Sequence, residues 1–172
     1  MVNSKQKGAG FEREVCKALS QWMSGGQRKD LFWRSAMSGG RATLGFRKGE
    51  KHITQGGDIS AIDPMGAPLT DRYCIELKFY RDLNLAAFWV GRGTLFGFWE
   101  RAKVDAEKYG KMPMLIAKQN LFPTLLIVPV ESRFAFPSVV RWRSYRHDAA
   151  VMAFDDLMLA VKYPAALLSK GR

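Results

Sequence analysis

The run Cys74-Ile75-Glu76-Leu77-Lys78-Phe79 constrains this chain more than any other. Apolar side chains alternate with a carboxylate and an ammonium, the period of a β-strand. Ile75, Leu77 and Phe79 then share a core-facing side, while Glu76 and Lys78 share the opposite one. Two charges on a mostly apolar strand are costly unless partners satisfy them. Such a pair is either a surface ion pair on a solvated face or part of a functional site.

The preceding residues favour the second reading. Gly56-Gly57-Asp58 opens a strand over 58 to 63, and Pro64-Met65-Gly66-Ala67-Pro68 has turn chemistry. With 72 to 80 as the return strand, the spacing predicts a hairpin. Asp58 would then lie beside Glu76 across the pair. Two carboxylates and a main-chain carbonyl form an oxygen-rich nest suited to Mg²⁺. Lys78 beside them would orient or polarise an attacking water, or stabilise charge on a phosphate. The glycines permit close approach of a phosphate backbone.

Elsewhere, Phe11, Val15, Leu19 and Trp22 recur at helical spacing, predicting a helix over 8 to 23 that stops at Ser24-Gly25-Gly26. Glu12 sits at the edge of that apolar stripe, and Glu14, about 200° further round, is expected to be solvated. Strands are expected over 31 to 36, 112 to 117 and 124 to 130. Helices are expected over 94 to 109 and 155 to 161. Residues 37 to 57 read as a long, glycine-rich, basic loop, a functional or mobile segment in a compact domain. The order α-β-β-β-α-β-β predicts an α/β fold with a central mixed β-sheet flanked by helices. The expected organisation is one domain over 1–172, with a core of about 7–130 and a C-terminal extension of about 131–172.

Charge restricts the partners. Lysine and arginine number 27 against 16 acidic residues in 172, a net charge of +11. That excess suits a polyanion, because each cation on a phosphate releases a counterion; a membrane surface or acidic protein would also be attracted. Leu121 to Val130 and Leu83 to Val90 are too short to span a bilayer. The basic N-terminus lacks an apolar leader, so a cytoplasmic protein is expected. Cys16 and Cys74 lack the paired spacing of a zinc site and read as core residues.

Asp58 followed by Glu76-x-Lys78 resembles the PD-(D/E)xK nuclease motif, with Gly57 where that motif has proline. Lys7-Gly8-Ala9-Gly10-Phe11-Glu12-Arg13-Glu14 resembles the opening helix of archaeal-type Holliday junction resolvases and their phage relatives. Arg34-Ser35-Ala36-Met37-Ser38 resembles that family's serine segment. Lys108-Tyr109-Gly110-Lys111-Met112-Pro113-Met114-Leu115-Ile116 resembles its helix end and next strand. The likeness covers roughly residues 7 to 130, and the loop at 39 to 57 is longer than in the compact archaeal form.

The resemblance implies a restriction-endonuclease-like core with Asp58, Glu76, Lys78 and the helix residue Glu12 as catalytic set. Asp58, Glu76 and Glu12 would hold Mg²⁺, for which Mn²⁺ substitutes. It also implies a homodimer that cuts branched DNA such as a four-way junction. Ser35, Ser38, Arg41, Arg47, Lys48 and Lys51 are candidate DNA contacts, unless the loop is simply a mobile basic surface. His52 could serve as a second acid or base, although a lone loop histidine is usually solvated, and Lys103 on the second long helix is a weaker candidate to face the site. Phe88, Trp89, Phe96, Phe98 and Trp99 read as core or a dimer face. Arg141, Trp142, Arg143, Tyr145 and Arg146 suit either a nucleic-acid patch or an exposed strand. Other readings are the same fold cutting nicked, flapped or site-specific duplex DNA or RNA, and a basic nucleic-acid-binding protein without catalysis.

Overall fold

A computed structural model describes residues 4–35, 56–132, 134 and 138–162. The first helix, α1 (Ser4–Met23), buries the expected stripe: Phe11, Val15, Leu19 and Trp22 are all in the core. Two short strands follow, β1 (Phe32–Arg34) and β2 (Ile59–Ala61), paired antiparallel to each other. A single-turn helix α2 (Ala67–Arg72) leads into β3 (Tyr73–Tyr80). Next come α3 (Leu85–Trp89) and α4 (Gly93–Lys108), then β4 (Met112–Gln119) and β5 (Leu125–Val128). The described chain ends with β6 (Val140–Ser144), β7 (Ala149–Ala153) and α5 (Phe154–Ala160).

The fold is α/β: a mixed sheet of order β3-β4-β5-β7-β6 with helices on both faces. β3 and β4 are parallel, the crossover being α3 and α4, and the other pairs are antiparallel. Burial on both faces explains why Leu115, Ile116 and Ala117 form a continuous apolar run rather than an alternating one. One core packs α1 and α5 against Ile75, Leu77, Met114, Ile116 and Leu126. The other packs α3 and α4 against Leu115, Ala117, Ile127 and Val151. Trp22 ties α1 to the residue that follows α5: its indole N–H donates to the Val161 carbonyl at 2.7 Å and its ring meets Phe134. Cys16 and Cys74 are buried thiols, and burial pushes them up to about 11 and about 12.

The expected hairpin over 58 to 80 is not formed. Pro68 stands in the first turn of α2, which separates the two segments, and β2 pairs with β1 instead. Asp58 still reaches β3, but through one parallel bridge, Gly57 with Ile75. Turn chemistry at 64 to 68 was compatible with either outcome, since proline is also favoured in the first helical turn. The strand β6 was one of two readings for the segment at 141 to 146, whereas β7 and the short helices α2 and α3 were not foreseen. Ala149–Ala153 has no alternation because both its faces are buried. Leu85–Trp89 is too short to show a period.

Gly57 has φ +94, and a Cβ there would lie 2.5 Å from the Ile75 carbonyl oxygen. Neither proline nor any other L residue fits this backbone, which accounts for glycine at the motif's proline position. Gly57→Ala should cost about 2 kcal/mol or more, because strain and backbone overlap act together. Urea unfolding checks this; an unchanged midpoint would mean the bridge is dispensable.

Candidate active site

The site is built on β3. Its alternation puts Ile75 and Leu77 in the α1-side core and Glu76 and Lys78 on the face toward α4. Lys78 Nζ donates to Glu76 Oε1, each side chain keeping 25% of its exposure. The ammonium lies 5.6 Å from the Phe98 ring of α4, and Tyr80 packs on the same ring at 5.0 Å. The costly charge pair thus has partners: each other, and an aromatic face that attracts a cation.

Asp58 is fixed to this strand at two points. Its backbone N–H donates to the Ile75 carbonyl at 2.7 Å. Its carboxylate Oδ2 accepts the Leu77 N–H at 2.9 Å. Because Leu77 lies between Glu76 and Lys78, the carboxylate sits against the stretch of strand that carries both. Burial pushes Asp58 up to about 6, and the negative charges of Glu76 and Glu12 add to the push. The Leu77 N–H and the Lys78 ammonium oppose it without cancelling it. Burial alone would lower Lys78, but Glu76 and Asp58 outweigh it and hold the ammonium above its ordinary value.

Glu12 comes from α1 and accepts a hydrogen bond from Arg34 Nε of β1. Its charge reaches Asp58, although its carboxylate is engaged by the guanidinium. Glu14 points to solvent and meets Lys118. Ser35 is buried; its N–H donates to the Asp58 carbonyl at 2.8 Å and its hydroxyl pairs with Ser60. Lys103 pairs with Glu100 and reaches the His147 carbonyl, on the other side of α4 from Lys78. Ser38, Arg41, Arg47, Lys48, Lys51 and His52 lie outside the described residues. Arg34 and Phe98 were named in the sequence, in the serine segment and the aromatic series, but neither was given a role at the site. Arg34 opens the serine segment, a usable signal, whereas Phe98 is one of five similar aromatic residues with nothing to mark it.

Among the described residues, no three His, Cys, Asp or Glu side chains stand together as a ready cage for an ion. Asp58 and Glu76 provide two carboxylates. That donor set fits Mg²⁺, which commonly takes one or two carboxylates and completes its shell with water and substrate phosphate. Asp58 is raised first by burial and then by the negative charge of Glu76, and a bound cation would favour its ionised form against both.

No described helix is long and apolar enough to cross a membrane. No solved structure matches the chain. Protein D14 of Escherichia phage T5 is 29% identical over 121 residues, which cover 69% of this chain and 66% of that curated relative, just under two thirds of its length. The family described as "Phage putative PDDEXK endonuclease" matches residues 3–157. That range takes in β6, β7 and most of α5, beyond the limit near residue 130 where the likeness read from the sequence stops. With nearly its whole length matched, the chain belongs to this phage PD-(D/E)xK endonuclease family.

Proposed function

We propose that this protein is a Mg²⁺-dependent DNA endonuclease acting on branched DNA, in the manner of a Holliday junction resolvase. The observation that carries the proposal is the Asp58 carboxylate held on β3 by the Leu77 N–H, beside Glu76 and Lys78. Asp58 and Glu76, assisted by Glu12, would hold the ion, and Mn²⁺ would substitute for it. Mg²⁺, when bound, supplies Lewis acidity toward a phosphate oxygen and the attacking water. Lys78 stays protonated because Glu76 and Asp58 stabilise its charge. It therefore acts as a donor, orienting the attacking water or stabilising charge on the phosphate. The Phe98 ring, 5.6 Å from the ammonium, offers that donor an aromatic face as a further partner.

Branched DNA, a homodimer that makes paired cuts, one domain over 1–172 and a cytoplasmic setting in a phage-infected host complete the reading. They rest on the resemblance at Glu12, Ser35 and the strand motif, with the net charge of +11 supporting a polyanionic substrate. Ser35, Ser38 and the basic residues Arg41, Arg47, Lys48 and Lys51 are the proposed DNA contacts.

Cleavage of labelled four-way junction, flap and linear duplex DNA tests the proposal. Wild type should cut the junction symmetrically with Mg²⁺ and lose all cutting in EDTA. Glu76→Gln and Lys78→Ala should each lower the rate at least ~100-fold, the usual weight of a positioned proton donor or charge stabiliser. Binding to all three substrates with no cutting under any metal would return the protein to the non-catalytic reading.

Asp58 also makes a pH prediction. Its folded value, about 6, lies above the ordinary 3.8. The folded state therefore holds the proton more tightly than the unfolded chain, so stability falls as pH rises between these values. The ionised form carries a penalty of about 3 kcal/mol at pH 7 to 8, which fades as pH falls below the unfolded value of about 4. Asp58→Asn keeps an acceptor for the Leu77 N–H and removes the charge. It should raise the melting temperature at pH 7.5 in EDTA and leave it unchanged at pH 3.5. Equal effects at both pH values would rule out charge as the cause. Adding Mg²⁺ should stabilise wild type but not the variant.

A further inference from the structure

The edge of the sheet farthest from β3, on the side covered by α3 and α4, carries a surface that the cleavage chemistry does not use. Trp89, at the end of α3, meets Trp142 of β6 with ring centroids 4.9 Å apart, and Phe88 supports Trp142 from beneath at 5.4 Å. The His147 ring, on the turn between β6 and β7, packs edge-on against Phe96 at 5.0 Å. Gly91 leaves room for that ring: a Cβ there would come within 2.7 Å of it. Segments about 50 residues apart in sequence thus form one continuous surface.

Its exposed parts are aromatic and basic. Tyr145 is 74% exposed, Val90 67% and Trp89 40%. Arg92 and Arg146 flank them and are exposed. The nearby acids are engaged elsewhere: Asp156 by Arg141, Glu100 by Lys103, and Asp148 by the Val130 N–H. Among the described residues no carboxylate pairs with Arg92 or Arg146. A core would hide these rings and a plain solvated face would not carry them. Ring faces beside unneutralised guanidinium groups match a strand that presents bare bases and phosphates together. Duplex DNA offers its phosphates but keeps its base faces stacked.

We infer that Trp89, Trp142 and Tyr145, with Arg92 and Arg146, form a binding site for single-stranded DNA. The site lies four strands across the sheet from β3, roughly 19 Å at the usual strand spacing. A branched DNA that carries a single-stranded arm, such as a flap, could be held there at a distance from Glu76 and Lys78. The inference goes beyond the cleavage reading and does not need it, because binding here requires neither metal nor chemistry.

The test uses the full chain in EDTA, where no cutting occurs. Fluorescence anisotropy follows a labelled oligothymidylate of about 20 nucleotides and a duplex of equal length across a salt series. Tyr145→Ala combined with Trp89→Ala should weaken single-strand binding about tenfold or more and duplex binding much less. Arg92→Ala with Arg146→Ala should flatten the salt dependence of single-strand binding by about 1.4 in log–log slope, ~0.7 for each phosphate that is no longer neutralised. Trp142 is left in place because Phe88 packs on it, and Tyr145→Ala alone guards against misfolding of the double variant. Unchanged single-strand affinity in the ring variants overturns the inference, as does equal loss on both DNAs. It is also overturned if light scattering finds a dimer that the same substitutions dissociate, since the occupant would then be a second copy. Single-strand binding that depends on these residues, in a protein that cuts no DNA, would sink the cleavage proposal and leave this one standing.

Discussion

Two hydrogen bonds between Asp58 and β3 organise the functional end of this molecule. The Asp58 N–H donates to Ile75, and Leu77 donates back to the Asp58 carboxylate. Neither belongs to a regular ladder, because β2 pairs with β1 and the only β-bridge to β3 among the described residues of this segment is at Gly57, just before β2. The clamp therefore joins the two-stranded unit to the five-stranded sheet at the point where the charges gather. Gly57 permits it by adopting a backbone closed to other residues. Ser35, just after β1, reinforces it by donating its N–H to the Asp58 carbonyl.

Much of the fold was legible where one face is buried and the other is not. The α1 stripe and the alternation of β3 are periodic for that reason, and both appear where the spacing puts them. Elements buried on both faces lose the signal. Ala149–Ala153 is apolar throughout, and its place between β5 and β6 depends on partners far away in sequence. The hairpin expectation failed for a related reason. Turn residues at 64 to 68 say that the chain reverses, but not which strand it then meets.

The site divides in the same way. Glu76 and Lys78 were visible because charges on an apolar strand demand an explanation. Asp58 was visible through its glycines, although the route by which it reaches β3 is a parallel bridge rather than a hairpin. The environment of these residues was not visible. Phe98 beneath Lys78 and Arg34 against Glu12 are set by how α4 and β1 pack; Arg34 at least opens the serine segment, but Phe98 has no local sequence mark. The segment Arg141 to Arg146 was ambiguous because strand alternation divides it: Trp142 turns toward α3, while Arg141 turns to Asp156.

The bond from Leu77 to Asp58 has a spectroscopic meaning. Leu77 is a buried hydrophobic residue whose side chain takes no part in charge, yet its amide proton rests on the carboxylate that changes protonation near pH 6. Its nitrogen and proton resonances therefore titrate with the site. Any ion that draws on that carboxylate must also change the electron density felt by this amide. One ordinary leucine in the middle of a strand thus becomes an internal gauge of the state of the acidic pair, readable without touching any residue of the pair itself.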